Sequence, residues 1–518
     1  MKLAAAHNII NERHSMPFTA HREVAYTPDA AALFYALATP QDSLLLESAD
    51  IETKKNLTCI AITKAALKVV CRGQEVTATA LTPSGRILIE DLRQDFHSRI
   101  IESSSGSSED SITFRFERSS EHDERARLRA TSTADVLRTL QFSRLYSGEM
   151  LPFLGGGFAF DYVETFEQLP PVPEGPNEYP DYEFLVAEHV LTVDHLTETA
   201  RIEGWGVDKH VLEEELDRAA HTEPHTPPAP APLTSVSARA TIDDAAFRRH
   251  VERLQGNVHA GDIYQVVPSR AFSIDCPDAF AAYRTLRETN PSPYMFYVRG
   301  ADHELFGASP ESNLKYTASD RQLQLYPVAG TRPRGATPEL DIRNELEMRT
   351  DAKEVAEHIM LVDLGRNDLA RVAVPGTRKV ADLLQVDRYS RVMHLVSRVV
   401  ATLHEDFDAL DAYRACMNMG TLTGAPKLRA MELIRQTEQA RRGSFGGAIG
   451  YLRGDGSMDN CIVIRSAYVK DGTAVVQAGA GVVRDSVPQS EADETVHKAY
   501  AVLSAIAQAH HASLEVIR

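Results

Sequence analysis

Cys461-Ile462-Val463-Ile464-Arg465-Ser466-Ala467-Tyr468-Val469 is followed by an apolar run at Ala474–Ala478, the turn Gly479-Ala480-Gly481, and a helical stretch from about Gln489 to Ala509. The first run is apolar and rich in β-branched residues, so it reads as a buried strand. Glycines then turn the chain into a helix. Working outward, Ala448–Leu452 reads as another strand, and Asp351–Leu364 as a long helix with Val355, Ile359 and Val362 on its apolar side. Strands follow around Tyr294–Val298, Leu305–Gly307 and Leu323–Tyr326, with a further one at Ile263–Val267 closed by Pro268. A helix starting at Thr241, with Asp244 three residues on, carries Phe247, Val251, Leu254 and Val258 at helical spacing and ends at Gly261. Another has Pro277 in its first turn and stops before Asn290-Pro291. Isolated strand signals dominate the N-terminal half. The pattern is α+β, with a large antiparallel-rich sheet expected in each half and helices flanking it.

His225-Thr226-Pro227-Pro228-Ala229-Pro230-Ala231-Pro232 is an extended spacer. It suggests an N-terminal region over 1–224, a Pro-rich linker over 225–240 and a C-terminal region over 241–518. Ser103–Asp110 reads as a polar surface loop. The chain has 518 residues, with 55 Lys+Arg against 73 Asp+Glu, a net charge of −18. That balance argues against nucleic acid, whose binding depends on Lys and Arg neutralising phosphates, and against an acidic membrane surface. No apolar stretch approaches the ~18 residues of a membrane span. The apolar start Met1–Ala6 is broken by His7 and Asn8 and does not read as an export signal. Five cysteines without a C-x-x-C pair suit reduced thiols in the cytoplasm. An anionic ligand would therefore need a locally built site.

The last helix stacks Glu491, Glu494 and Lys498 on one face, and Glu354 and Glu357 pair on the helix at 351–364. Carboxylates converging from two helices suit Mg²⁺, although either pair alone fits a solvated helix face. Arg465 lies inside an apolar run, where a guanidinium needs a partner, either a protein carboxylate or a substrate carboxylate. His394 is a lone imidazole among Val392, Met393, Leu395 and Val396, a setting common for a core histidine.

Taken together, Gly261–Val267, Asn290–Phe296, Gly307–Glu311, Pro327–Arg334, Ala356–His358 through Arg366–Asp368, Thr421–Lys427, Gly479–Gly481 and Glu491–Thr495 form an ordered set. With them the chain resembles the chorismate-utilising enzymes, most closely the large subunits (component I) of anthranilate synthases. Leu45–Asp50 extends the resemblance to the regulatory region. The resemblance implies the two-part, antiparallel-sheet-rich fold of that family and a Mg²⁺-dependent lyase of tryptophan biosynthesis that makes anthranilate and pyruvate from chorismate and ammonia. It assigns Glu357 and Glu494 to the metal, with Glu491 as a helper. Gly330, Thr331, Phe445, Arg465, Gly479, Ala480, Gly481 and Lys498 fall to the substrate. Glu311 becomes the general acid for the departing 4-hydroxyl, and His394 serves the later pyruvate elimination with Thr421 on the same wall. An allosteric L-tryptophan pocket falls on Glu47, Ser48, Pro293, Tyr294, Met295 and Tyr451, a mix of aromatic, thioether and polar groups suited to an indole amino acid.

Two positions choose within the family. Ala329 stands where aminodeoxychorismate synthases carry a nucleophilic lysine, so ammonia must supply the nitrogen. Gln265 stands where isochorismate and salicylate synthases carry a lysine that activates water, and an amide is no base at neutral pH. Phe445 departs from the family's usual tyrosine, a lost hydrogen bond worth about 0.5–1.5 kcal/mol if neutral. No cysteine has the Gly-x-Cys-x-Gly context of a glutaminase nucleophile, so a separate glutamine amidotransferase subunit (component II) is implied, giving a hetero-oligomer. The alternatives are a relative that releases aminodeoxyisochorismate, an aminodeoxychorismate synthase-like enzyme, and a non-catalytic tryptophan-binding protein.

Overall fold

The computed structural model describes residues 17–50, 56–99, 110–143, 145, 150–388 and 392–518. The expected loop at 103–109 and the start at 1–8 lie outside them. The architecture is α+β, as expected. The strands do not form one sheet in each half. Among the described residues, twenty-two strands join a single hydrogen-bonded network, beside a two-stranded ribbon of Gln265–Val266 and Gly424–Ala425. Two pairings stitch the N-terminal part to the C-terminal part: Ser43–Ala49 with Tyr294–Arg299, and Phe153–Phe158 with Ala448–Arg453.

These strands are covered on both faces. Along Tyr294–Arg299, Phe296 and Val298 enter one apolar core while Met295 and Tyr297 enter the other. Leu44 and Leu45 divide in the same way. Period-2 alternation explains this, since successive side chains leave opposite faces. A side chain's parity therefore decides which compartment it serves.

The helices largely follow the apolar spacing, with shifted ends. Asp243, and not Thr241, caps Asp244–Ala260 by accepting from the Ala246 N–H, and Gly261 closes the helix in the left-handed conformation. Pro277 lies outside its helix, which runs over Ala279–Thr289 with Asp278 as the cap. The expected strand at Ile263–Val267 shrinks to Gln265–Val266. Ser235–Ala240, within the expected linker, is a strand paired in parallel with Ser513–Ile517. The helix Ala352–Ala370 outlasts its apolar stripe. It follows a second helix, Pro338–Thr350, that the sequence pattern concealed because only Met348 is buried.

The main correction falls on Cys461–Val469. It is two strands, Met458–Ile462 and Ser466–Lys470, separated by a break in which Arg465 has φ +49°. A left-handed non-glycine residue is strained, and here the break turns the guanidinium out of the ladder. The last helix, Pro488–Ala509, follows the strand Thr473–Gly479 and packs on Asp244–Ala260 and Ala279–Thr289. No helix among the described residues is long and apolar enough to cross a membrane.

Candidate active site

Three segments set the acid–base pair. Glu311 follows the strand Glu304–Ser309, and its backbone is fixed by its own N–H to Ser309 Oγ and by Ile462 N–H to its carbonyl. Its side chain is 5% exposed, and burial pushes the carboxyl up to about 8 against the opposing pull of Thr421, Arg465 and Lys498. The Thr421 hydroxyl donates to Glu311 Oε1 at 2.8 Å. Glu311 therefore keeps its proton at neutral pH, the state a general acid needs.

His394 lies on the strand Val392–Thr402, opposite Thr331 on Val328–Pro333. The register slips between Ala329 and Thr331, where Gly330 has φ +81°, a left-handed bulge position that favours glycine. A Cβ at Gly330 would also come within 2.9 Å of Glu354 Oε2. The bulge brings the Gly330 carbonyl and the Thr331 hydroxyl each to 3.0 Å from His394 Nδ1. A carbonyl only accepts, so Nδ1 carries the hydrogen and Nε2 keeps its lone pair. Burial first, then the positive fields of Arg465 and Lys498, drive the imidazole down to about 4. The site thus holds a neutral acid and a neutral base.

Arg465 decides the remaining question. Its guanidinium is desolvated, which lowers its pKa, and its electrostatic neighbours are Glu494 and Glu311. Neither closes an ion pair with it: Glu494 is held by Lys498 at 2.6 Å, and Glu311 by Thr421. Among the described residues no carboxylate pairs with Arg465. Glu494 and Glu311 therefore act on Arg465 through their fields and not through a closed ion pair. Lys498 also donates to the Gly479 carbonyl at 2.9 Å, fixing the glycine turn. The Ala480 N–H is already taken by the Pro268 carbonyl at 3.1 Å, whereas the Gly481 N–H makes no hydrogen bond among the described residues. Gly481 also faces Gln265, whose Nε2 would lie 2.9 Å from a Cβ there. Phe445 is 3% exposed and packs under the Arg442 guanidinium in the apolar core.

Glu357, Glu491 and Glu494 surround the same space. Burial raises Glu491, and Glu494 raises it further by sharing a proton with it. Burial opposes the Glu494 charge, but Lys498 outweighs it and holds Glu494 below the usual carboxylate range. Burial raises Glu357 too, aided by Glu354 and Glu494. These are hard oxygen donors crowded against their own repulsion, a donor set that fits Mg²⁺. They are not drawn into one tight cluster. Among the described residues only Glu188, His189 and Glu215 bring three ligand atoms that close, and Lys64 already sits on that group at 2.7 Å from Glu215.

The residues expected to hold tryptophan divide by parity. Ser48 bonds Thr58 at 2.9 Å, and the Tyr294 hydroxyl donates to Asp459 at 3.1 Å. Asp459 lies opposite Tyr451, whose ring stacks on Phe153. Half-buried Pro293 precedes Tyr294. Glu47 and Met295, paired across the strands, leave the opposite face. There Glu47 accepts from the Tyr283 hydroxyl and pairs with Arg287 at 3.0 Å. The sequence reading missed Asp459 and Thr58; their signal was strand register, visible only once the pairing is known.

An anion-seeking guanidinium beside a protonated carboxyl, a neutral histidine and hard oxygen donors suits an enzyme that acts on a carboxylate substrate. The family model described as chorismate binding enzyme matches residues 91–504. Anthranilate synthase component 1 of Vibrio cholerae is 50% identical, covering 97% of this chain and 98% of its own length. The crystal structure of anthranilate synthase component I from Streptococcus pneumoniae superposes with a TM-score of 0.69 at 28% identity, covering 86% of this chain and 92% of that one. The menaquinone-specific isochorismate synthase of Escherichia coli shares the fold, with a TM-score of 0.66 at 16% identity over 95% of this chain and 96% of its own. The chain belongs to the chorismate-binding enzymes, in the anthranilate synthase component 1 family.

If Glu311 serves as the general acid, its protonation sets the pH dependence. Turnover, corrected for the fraction of free ammonia, is expected to hold below pH 8 and fall as Glu311 ionises through about 8. Glu311→Gln should lower kcat by about 100-fold or more. A steady-state pH profile checks this, and a corrected rate still rising above pH 9 would contradict it.

Proposed function

We propose that the chain is the ammonia-using large subunit of anthranilate synthase, converting chorismate and ammonia to anthranilate, pyruvate and water. The observation that carries this reading is the Arg465 guanidinium without a protein counter-ion, facing an acid that keeps its proton. Arg465 takes a substrate carboxylate as a planar fork, with Thr331 and the Gly481 N–H orienting the ring. Ammonia adds at ring carbon 2 while the 4-hydroxyl leaves. Glu311 gives that oxygen its proton, so water departs. Nε2 of His394 then accepts the carbon 2 proton as the enolpyruvyl C–O bond breaks, leaving the aromatic amine, and the departing enolpyruvate takes up a proton at its methylene carbon to become pyruvate. Gln265 and Ala329 offer neither a base for water nor a lysine nucleophile, which supports ammonia as the nitrogen donor.

Glu357 and Glu494, helped by Glu491, would hold Mg²⁺, which would offset the charge of a second substrate carboxylate. The free, buried thiols suit work in the cytoplasm. Purified chain with chorismate, ammonium and Mg²⁺ is expected to develop anthranilate fluorescence without any partner. Chelation should remove that activity and added Mg²⁺ should restore it. No anthranilate from the folded chain would contradict the reading.

L-tryptophan is the proposed feedback inhibitor, bound on the side of Ser48, Pro293, Tyr294 and Tyr451, with Glu47 and Met295 supporting it from behind. Ser48→Arg fills that face, so it should raise the half-inhibitory tryptophan concentration at least about 10-fold while leaving uninhibited turnover near wild type. Unaltered inhibition in that variant would remove Ser48 from the pocket.

A further inference from the structure

His358 belongs to the ordered motif set but carries no role in the reaction described above. It lies on the helix Ala352–Ala370, directly after Glu357 and one turn beyond Glu354, and its side chain is fully buried. A buried polar ring costs free energy unless hydrogen bonds hold it, and an apolar residue of similar size would fill the space without that cost. His358 Nε2 lies 2.6 Å from the Ser397 hydroxyl on the strand Val392–Thr402. The same hydroxyl oxygen accepts the Leu384 N–H at 3.0 Å. Leu384 has φ +55°, at a slip in the pairing of Lys379–Arg388 with Val392–Thr402. Ser397 thus joins the helix to an irregular point of the sheet.

The imidazole also meets the strand Val328–Pro333. Burial lowers the His358 pKa, and the Ala329 backbone opposes that shift, as a carbonyl facing the ring does. Nε2 is taken by Ser397, so Nδ1 is the atom that approaches this carbonyl, without closing a full hydrogen bond. A carbonyl only accepts, so Nδ1 carries the hydrogen and Nε2 receives the Ser397 hydroxyl proton. Two consecutive carbonyls of the bulge therefore meet imidazoles. That of Gly330 fixes His394 at 3.0 Å, and that of Ala329 faces His358. Near the helix start, Arg332 of the same strand pairs with Asp351 at 3.0 Å and with Glu354 at 2.5 Å. Along the helix, Glu357 falls between these two fastenings.

We propose that His358 is a positioning residue: by joining Ser397 to the Ala329 carbonyl, it holds the helix of Glu357 in fixed register against the bulge that aims His394. The proposal rests on the metal and proton-transfer roles proposed above. One buried ring then sets two groups at once, the carboxylate that would hold Mg²⁺ and the base that takes the carbon 2 proton. Arg465 stands on a different segment, between Met458–Ile462 and Ser466–Lys470, so the principal grip on chorismate is spared.

The test uses the full chain and His358→Leu, which keeps the apolar volume and removes both links. At saturating Mg²⁺, kcat with ammonium should fall about 10-fold or more while the KM for chorismate stays within about threefold. In a Glu311→Gln background with chorismate present, the Mg²⁺ dissociation constant read by calorimetry should rise about 10-fold. Ser397→Ala should move both quantities in the same direction, and the double variant should be no worse than His358→Leu, because both changes cut one link. A role in folding alone would lower the thermal midpoint and leave kcat per folded chain and the Mg²⁺ dissociation constant unchanged; that result would overturn the proposal, as would additive losses in the double variant. If His358→Leu does not fold, Ser397→Ala decides by the same two quantities. A wild-type chain that neither binds nor requires Mg²⁺ would overturn the metal reading, and this proposal with it.

Discussion

The site depends on one charge, the Arg465 guanidinium, held at a break between two strands where no carboxylate among the described residues closes an ion pair with it. Leaving a desolvated cation unpaired is costly, and the left-handed backbone at the same residue adds strain. Such costs persist where the surrounding structure over-determines them, and here the flanking Val463 and Gly446–Gly447 amides and carbonyls lock the break. The same charge acts on both proton-transfer groups. It limits how far burial raises Glu311, and it adds to the burial that lowers His394. Burial alone thus keeps Glu311 protonated, against the pull of Arg465, whereas burial and Arg465 act together to keep His394 neutral.

The acidity of the chain has a local counterpart. Glu357, Glu491 and Glu494 on two helices feel one another's charge without forming one tight cluster, and Lys498 pairs with Glu494 while bracing the glycine turn through Gly479. A dianionic substrate can approach such a wall when a hard cation and Arg465 dominate its immediate field. The sheet adds a second separation. Alternate residues of Tyr294–Arg299 and Ser43–Ala49 serve different cores, so Ser48 and Tyr294 lie on one face while Glu47 and Met295 lie on the other, where Glu47 meets Tyr283 and Arg287.

Much of this was legible in the residues. Apolar spacing placed the helices around 244–260, 279–289, 352–370 and 488–509, and the motif set pointed to Glu311, His394, Arg465 and the acidic helix faces. Three things were hidden for physical reasons. A continuous apolar run cannot reveal a break, so Cys461–Val469 read as one strand. The helix Pro338–Thr350 has no inward stripe because it covers the sheet with Met348 alone. Strand register joins residues far apart in sequence, so neither the Tyr294–Asp459 bond nor the single network linking both halves could be read from local pattern.

The most direct test of the account is the equilibrium affinity for chorismate of Arg465→Met, measured by calorimetry in a Glu311→Gln background that suppresses turnover, beside the thermal midpoint of both proteins. If Arg465 waits for a substrate carboxylate, the dissociation constant rises by about 100-fold, roughly 2.7 kcal/mol. The midpoint then stays level or rises, because an unpaired desolvated charge has been removed. An unchanged affinity, or a weakened one accompanied by a clear drop in the midpoint, would show that the guanidinium serves the fold and not the substrate.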